Sequence, residues 1–475
     1  MDRGASPVRG MPGGYLAAGA RGGWGGTMSE REFSPRALLA ALGRPPAAAR
    51  YWVAYSGGLD STVLLHALAE VRGALPGDLR AVHVDHGLHP EAGRWAGHCR
   101  EVCARLDLAC EVLSVSAVGQ RGESPEAAAR QARYRVLGQL LGPGEAVLTA
   151  HHRDDQAETV LLRLLRGAGA RGLAAMAEHR PLGLGWLGRP LLPWPRSALR
   201  AWAVSRRLGW VEDPSNRETR LDRNFLRLEV LPLLERRWPA CSRTLARAAA
   251  HQAEAQGLLE DLARAELEAC RGEAEGTLSV RALLALPPAR RRLVLCAWLG
   301  ARGLPAPPGE RIERVAHEVL EARADGRPYV TWPGGEVRRY RDALVAGAPR
   351  GVTAADASWP WRPPAPLQLP WGVLKAEPAV SVGLSARALE GRDLTVRVRR
   401  GGERCRVAGR GGGRHAVKKL LQEAGVPPWD RERLPFVYAG EDLAAVADLW
   451  VCEPFACPPG ESGWRVVWTP SGPIL

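Results

Sequence analysis

Apolar and polar positions change period in a regular way along the first half of the chain. Tyr51 to Tyr55 is a short apolar run, the pattern of a buried strand. Ser61-Thr62 follow almost at once, and Val63, Leu64, Leu65 and Leu68 then repeat with helical spacing. The couple recurs. "LRAVHVDHGL" reads as a strand ending at Asp85 and His86, "GRWAGHCREVCARLDL" as a helix and "CEVLSVS" as a strand. "SPEAAARQARYRVLGQLL" predicts a helix with Ser124 as N-cap, Pro125 at the first helical position and Glu126 behind it. "EAVLTA" is a further strand and "HHRDDQAETVLLRLLRG" a further helix. Strands alternating with helices predict an α/β fold, a doubly wound parallel sheet with its ligand crevice at the carboxyl ends of the strands.

From about Arg243 the alternation stops, and Ala/Leu/Arg/Glu-rich helical patterns take over. Residues 244–356 read as a mostly helical domain ending in a hairpin over "YVTWPGGEVRRYRDALVAG", with Gly334-Gly335 as its turn. The Pro- and Trp-rich stretch within 357–384 reads as a stiff connector. Residues 385–475 read as a small α+β domain. Upstream, 1–27 are rich in Gly, Ala and Arg, and "SEREFSPRALLAAL" after Met28 looks like the start of a folded helix. The first domain is therefore expected over 28–243, with 1–27 a non-native or disordered extension.

Composition narrows the class. Of 475 residues 46% are hydrophobic, enough for packed cores, and no apolar run reaches the length of a membrane-spanning helix. The nine cysteines are scattered without any Cys-x-x-Cys pair, which predicts a reducing, cytoplasmic setting and disfavours zinc ribbons and iron–sulfur sites. Cys99 and Cys103 are four apart on a predicted helix, where two packed thiols are the default. The formal charge of +14 favours a polyanionic partner.

The loop "SGGLDS" between the first strand and helix carries the candidate chemistry. Gly57 and Gly58 leave the backbone open to a ligand, and free N–H groups at a helix start favour an anion. Lysines occur only at Lys375, Lys418 and Lys419, so no Walker-type lysine can reach this loop. Ser61 as an ordinary N-cap is the bland alternative. Asp154, Asp155 and Glu158 open a later helix, and either aspartate can share a face with Glu158. Three acids beside a phosphate loop suggest Mg²⁺, with Asp60 completing the set. Arg130 and Arg133 on "ARQARY" could face the same crevice or be solvated surface groups. In the last domain Arg397, Arg399, Arg400, Arg404, Arg406, Arg410, Arg414, Lys418 and Lys419 far outnumber nearby acids. Interspersed glycines favour RNA-backbone contact there.

With "SGGLDS", "HVDHGL", "ARQARY", "TAHHRDDQAETVLLRLLRGAG", "EDPSN", "DRNFLRLEVLPLL" and "GRGGGRHAVKKLLQEAGVPPWDRERLP" in place, the chain resembles the bacterial tRNA(Ile)-lysidine synthases of the PP-loop ATP pyrophosphatase superfamily. The resemblance implies ATP-dependent adenylation of the wobble cytidine in a CAU-anticodon isoleucine tRNA. Free L-lysine then displaces AMP, and codon reading changes from AUG to AUA. It implies that Ser56, Gly57, Gly58, Leu59, Asp60 and Ser61 bind ATP, with Asp60 and Glu158 on Mg²⁺. By the same resemblance Arg130 or Arg133 stabilises developing charge, His151 and Asp155 sit at the reacting base and amine, and the C-terminal domain holds the acceptor stem. Members are often homodimers, which the residues do not fix. "DRNFLRLE" departs from the pattern, with Phe225 and Leu226 where a more basic run is expected.

Rival readings are a tRNA thiolase using Cys99 and Cys103, a small-molecule synthetase with no use for the basic domain, and a non-catalytic RNA-binding protein.

Overall fold

The computed structural model describes residues 32–43, 47–85, 92–115, 125–213, 218–323, 326, 328–350, 357–411 and 413–470. The expected extension 1–27, His86 and the Ser124 cap lie outside them. Two compact units meet in sequence between Leu258 and Leu259.

The first unit is built on β1 (Arg50–Ala54), β2 (Asp78–Asp85), β3 (Cys110–Ser114), β4 (Glu145–Leu148), β5 (His179–Leu182) and β6 (Gly185–Gly188). They form one sheet in the order β3-β2-β1-β4-β6-β5. All pairings are parallel except the β5–β6 hairpin. Helices α1 (Pro35–Leu42), α2 (Leu59–Glu70), α3 (Ala92–Arg105), α4 (Pro125–Leu140), α5 (Arg153–Leu165), α6 (Ala170–Leu173) and α7 (Arg196–Ser205) intervene. Alternation along the strands explains the layers. Tyr51, Val53, Ala81 and Leu148 enter one core with Leu38 of α1, Leu64 and Leu68 of α2, Cys99 of α3 and Leu199 of α7. Trp52, Val82, Val147 and Leu187 enter another with Leu137 and Leu141. Side chains on successive strand residues point to opposite faces, so the sheet is covered on both.

Beyond the sheet come α8 (Asp222–Phe225), a π-helical turn over Leu226–Val230, α9 (Leu231–Arg237) and the long α10 (Cys241–Ala269), which runs across the division. Pro232, in the first turn of α9, has no N–H for a regular helical bond, and the backbone upstream widens where that bond is missing.

The second unit begins with β7 (Leu278–Ser279), α11 (Val280–Ala285), α12 (Pro288–Ala301), α13 (Gly309–Arg314), β8 (Tyr329–Trp332), β9 (Gly335–Tyr340) and β10 (Ala343–Gly347). The sheet β7-β10-β9-β8 packs on these helices through Val294, Leu295, Trp298, Ile312, Val330 and Val337. The β8–β9 hairpin turns at Pro333-Gly334, since Trp332 pairs with Gly335, one residue earlier than the sequence pattern places it.

The stretch 357–384 is not a connector. It carries β11 (Ser358–Trp361), β12 (Leu367–Leu369), β13 (Gly372–Val380) and the first residue of β14 (Leu384–Ser385). There follow α14 (Ala386–Leu389), β15 (Leu394–Arg397), β16 (Arg404–Cys405), β17 (His415–Ala416), α15 (Val417–Glu423), α16 (Pro428–Arg431), β18 (Phe436–Ala439), β19 (Asp442–Val446), β20 (Trp450–Val451) and β21 (Ser462–Pro470). Two larger sheets, β11-β15-β18-β19-β20 and β12-β13-β21-β14, share one core. Strand β13 pairs along its whole length with β21, some ninety residues later, a partner no local pattern reveals. Cys405 and Cys452 form a disulfide, a pairing that the expectation of a reducing setting did not include. No helix among the described residues is long and apolar enough to cross a membrane.

Candidate active site

Sheet order reverses between β1 and β4, so the loops after these strands open a crevice at their carboxyl ends. After β1 the chain turns through Ser56, Gly57 and Gly58 into α2. That helix starts at Leu59 with Gly58 as N-cap and no side-chain cap, so Ser61 is not the cap. The first helical bond runs from Thr62 N–H to Gly58 O at 3.0 Å, which leaves the N–H groups of Leu59, Asp60 and Ser61 ahead of it. Gly57 has φ of +83°, and a Cβ there would lie 3.4 Å from Cys99 Sγ and from His98 Cδ2. Val211 N–H donates to Gly57 O at 2.9 Å and pins the loop from outside. Within it, Ser61 Oγ lies 3.1 Å from Ser56 Oγ and donates to Gly58 O at 3.0 Å. The loop is a preformed ring of donors at the positive end of a helix, suited to a phosphate chain.

After β4, Thr149 Oγ1 donates to Gly188 O at 3.3 Å and lies 2.8 Å from His151 Nδ1. With its proton directed to Gly188, the hydroxyl accepts from Nδ1, and Nε2 of His151 carries the lone pair. Burial, with the charges of Arg189, Arg130 and Arg223, lowers the His151 pKa to about 3 against the opposing pull of Asp155. This imidazole is neutral at physiological pH. His152 is buried, caps α5 by accepting from Asp155 N–H, and places Nε2 3.7 Å from Asp60 and 3.4 Å from Asp155.

The carboxylates of α5 are tied to two arginines. Glu158, with no exposed surface, accepts from Arg223 Nε at 2.7 Å, Arg227 Nε at 2.6 Å and Arg227 Nη2 at 3.0 Å. Asp155 Oδ1 accepts from Arg223 Nη2 at 3.1 Å and Arg227 Nη2 at 3.0 Å, and its Oδ2 from His152 N–H at 3.0 Å. Burial alone would raise the Asp155 carboxyl, but His152, Arg223, His151 and Arg227 together hold it well below the usual range. Asp155 thus shares one face and the same arginine partners with Glu158. Asp154 instead accepts from the Arg196 N–H at 3.0 Å and caps the start of α7.

These contacts bear on a divalent cation. Asp60 Oδ1 is buried without a hydrogen bond, with Arg196 Nε 3.4 Å away. It fits a hard cation that also touches phosphate oxygens. Glu158 does not fit that part in this arrangement, because guanidinium donors occupy both its oxygens. Among the described residues no cluster of three or more ligating side chains is poised for a metal.

The structure therefore brings Ser56, Gly57, Gly58, Leu59, Asp60, Ser61, His151, Asp155 and Glu158 to one region. Arg130 is exposed, stacks over Tyr134 at 5.2 Å, and joins by its charge on His151. Arg133 is exposed on the same helix, beside Tyr134 and Arg130. Sequence reasoning missed His152, Arg196 and the role of Arg223 and Arg227. Their signal was present: arginines spaced i, i+4 match acids spaced i, i+3. The apolar Phe225 and Leu226 lie between these arginines in the chain, Leu226 buried and Phe225 exposed.

In the C-terminal domain Arg404, Arg410, Arg414, Lys418 and Lys419 are all exposed. Arg410 pairs with Glu423 and Arg404 donates to Arg414 O. Arg397 ends β15 and is bound to Glu441, while Arg399 lies past the strand against Glu403, so the two do not share a strand face.

The PP-loop domain family matches residues 34–234, and fold and loop together define the class, a PP-loop enzyme that uses ATP. Residues 278–345 match the TilS substrate binding domain and 394–468 the TilS substrate C-terminal domain. A tRNA(Ile)-lysidine synthase of Alkalilimnicola ehrlichii is 47% identical over 446 residues, 93% of this chain and 98% of that one. Enzymes of the same name from Methylococcus capsulatus and Coxiella burnetii are 45% and 41% identical, over 88% and 91% of this chain and 96% of each of theirs. The chain belongs to the tRNA(Ile)-lysidine synthase family.

Two outcomes follow from the geometry. Arg227→Ala leaves the buried Glu158 with one guanidinium and should cost about 3–5 kcal/mol of stability, read by urea unfolding. Combined with Glu158→Gln, the loss should be clearly less than the sum of the two single losses. The second outcome concerns pH. His151 is neutral when folded and takes a proton near pH 6.5 when unfolded, so its contribution is present above that pH and lost as pH falls toward 3. Unfolding midpoints between pH 7 and 4.5 should therefore fall less steeply in His151→Gln than in the wild type.

Proposed function

We propose that the protein forms lysidine at the wobble cytidine of the CAU-anticodon tRNA(Ile), in two steps sharing one crevice. The base oxygen at carbon 2 attacks the α-phosphorus of ATP and expels pyrophosphate. The side-chain amine of free lysine then attacks carbon 2, AMP leaves with the former base oxygen, and the amine gives up a proton. The observation that carries this reading is the family relationship over both halves of the chain, joined to a phosphate loop without a lysine. Such a loop suits chemistry at the α-phosphorus, where the outer phosphates are the leaving group.

The residues present support distinct roles. Ser56 to Ser61 offer backbone and hydroxyl donors to the departing pyrophosphate. Asp60 would hold Mg²⁺ with phosphate oxygens and water, and the ion, when bound, screens the triphosphate charge. Glu158 and Asp155 act by fixing Arg223 and Arg227 at the crevice, beside a nucleotide that is itself anionic. Arg130 adds positive charge close to His151, with Arg133 a weaker candidate for the same work. His151 is too weak a base to take the proton of lysine; its Nε2 lone pair can accept a hydrogen bond and orient the attacking amine. Asp155, held by arginines, is not available to the amine as the structure stands. The exposed Arg404, Arg410, Arg414, Lys418 and Lys419 offer a tRNA backbone surface. The thiolase reading loses support, because burial pushes the Cys99 thiol up to about 12 and a hydrogen bond with Cys110 pushes Cys103 up.

The deciding assay supplies ATP, Mg²⁺, labelled lysine and this tRNA, and scores label on RNA together with AMP. Label that requires lysine and is absent with the methionine tRNA is the expected result. AMP release without label on RNA would overturn it. Asp60→Ala should lower AMP formation by about 10²-fold or more. Because lysine reacts as the free amine, the rate of label transfer should climb from pH 6 to 8.5 without a break near 6.5.

A further inference from the structure

Inside the second unit a second buried polar cluster lies where the β9–β10 hairpin meets α15 and α16. Trp429, Asp430 and Arg431 of α16 are all buried, although the helix is only one turn long. The Tyr340 ring meets Trp429 edge to face with centroids 6.0 Å apart. The Arg338 guanidinium lies 5.8 Å from the same indole and 4.7 Å from the Tyr329 ring. Arg350 joins the parts: its N–H donates to Glu336 Oε2 at 3.2 Å, its Nε lies 3.3 Å from Glu336 Oε1, and its Nη1 pairs with Asp430 Oδ1. Glu336 is 3% exposed and Asp430 5%, so the pairing is shielded from salt and water.

A second grip lies on α15. Arg341 Nη2 donates to Gln422 O at 3.1 Å, close to the C-terminal end of that helix, where a cation also complements the backbone dipole. Arg431 holds the elbow between the two helices, donating through Nε to Val426 O at 2.8 Å and through Nη2 to Tyr340 Oη at 3.3 Å. On the outer side of α15, Lys418 and Lys419 are exposed, while Val417, Leu420 and Leu421 face inward.

We infer that the β9–β10 hairpin, through Arg341 and the Glu336–Arg350–Asp430 bridge, is a clamp that sets α15 so that Lys418 and Lys419 meet the tRNA backbone. Arg350 and Asp430 are positioning residues, too deeply packed to reach RNA themselves. The clamp rests on the RNA-binding reading of the C-terminal domain. Its physical logic is entropic: two ammonium groups on a fixed helix lose less freedom on binding than two on a swinging one, so affinity depends on joints the RNA never touches.

The test uses the full-length protein with Arg341→Ala, Arg350→Ala, the pair Arg350→Met with Asp430→Leu, and Lys418→Ala with Lys419→Ala. Each is read by tRNA dissociation constant, by the slope of log affinity against log salt, and by KM for tRNA separately from kcat. Arg341→Ala and Arg350→Ala should each raise the dissociation constant and KM about tenfold with kcat preserved, and flatten the salt slope by about one phosphate contact. The Arg350→Met, Asp430→Leu pair, which keeps the joint packed without charge, should bind more tightly than Arg350→Ala alone. Wild-type affinity and slope in both arginine variants, with the lysine variant weakened, would overturn the clamp and leave the RNA surface standing. Wild-type binding by the lysine variant would take Lys418 and Lys419 out of the RNA surface and overturn the clamp. Should Arg350→Ala fail to fold, Arg341→Ala decides, since that side chain is exposed.

Discussion

An uncapped helix start at the end of a parallel strand is the constraint around which the first unit is arranged. Gly58 brings no side chain to the first turn of α2, and Gly57 takes a left-handed backbone conformation that lets the loop lie against His98 and Cys99. The donors so exposed are useful only if the helix does not shift. Val63, Leu64, Leu65, Ala67 and Leu68, all without exposed surface, hold it against the sheet, each leucine contributing about 2 kcal/mol of burial. Hydrophobic packing of α2 thus holds the donors of its first turn in place.

Charge is organised by a different rule. A carboxylate as deeply buried as Glu158 is stable only when paired, and Arg223 and Arg227 pair it while also holding Asp155. The segment from Asp222 to Val230 is thereby anchored to α5, and its π-helical turn lies where Pro232 interrupts the regular bonding. Burial, together with the charges of Arg189, Arg130 and Arg223, keeps His151 neutral. A crevice lined with guanidinium groups and a neutral imidazole can receive an anionic nucleotide and still leave a lone pair for an amine. In the second unit the buried pairing of Arg350 with Glu336 and Asp430 has the same form and joins two pieces of structure instead of a segment and a helix.

The alternation of strands and helices, the phosphate loop and the acids of α5 were legible because each depends on local order: a strand of period two, a helix of period 3.6, glycines at a turn. The residues of the loop and of α5 come together as the doubly wound topology requires. What was misread depends on partners distant in sequence. The stretch 357–384 looks like a connector because its prolines and tryptophans have no local partner, yet β13 finds β21 and Trp361 and Leu369 are buried. Cys405 and Cys452 are forty-seven residues apart and give no spacing signal.

The sequence by itself determined the class of fold, the place of the phosphate loop and the basic character of the C-terminal domain, because turn chemistry, hydrophobic period and charge are local or additive properties. Only the tertiary structure decided which acid does what. Asp154, Asp155 and Glu158 are equivalent as letters, but Asp154 caps a neighbouring helix, Asp155 and Glu158 are bound by arginines some seventy residues away, and of these and Asp60 only Asp60 keeps a buried oxygen without a hydrogen bond. The difference lies in burial and in which cations arrive across the fold, and neither is a property of a short segment.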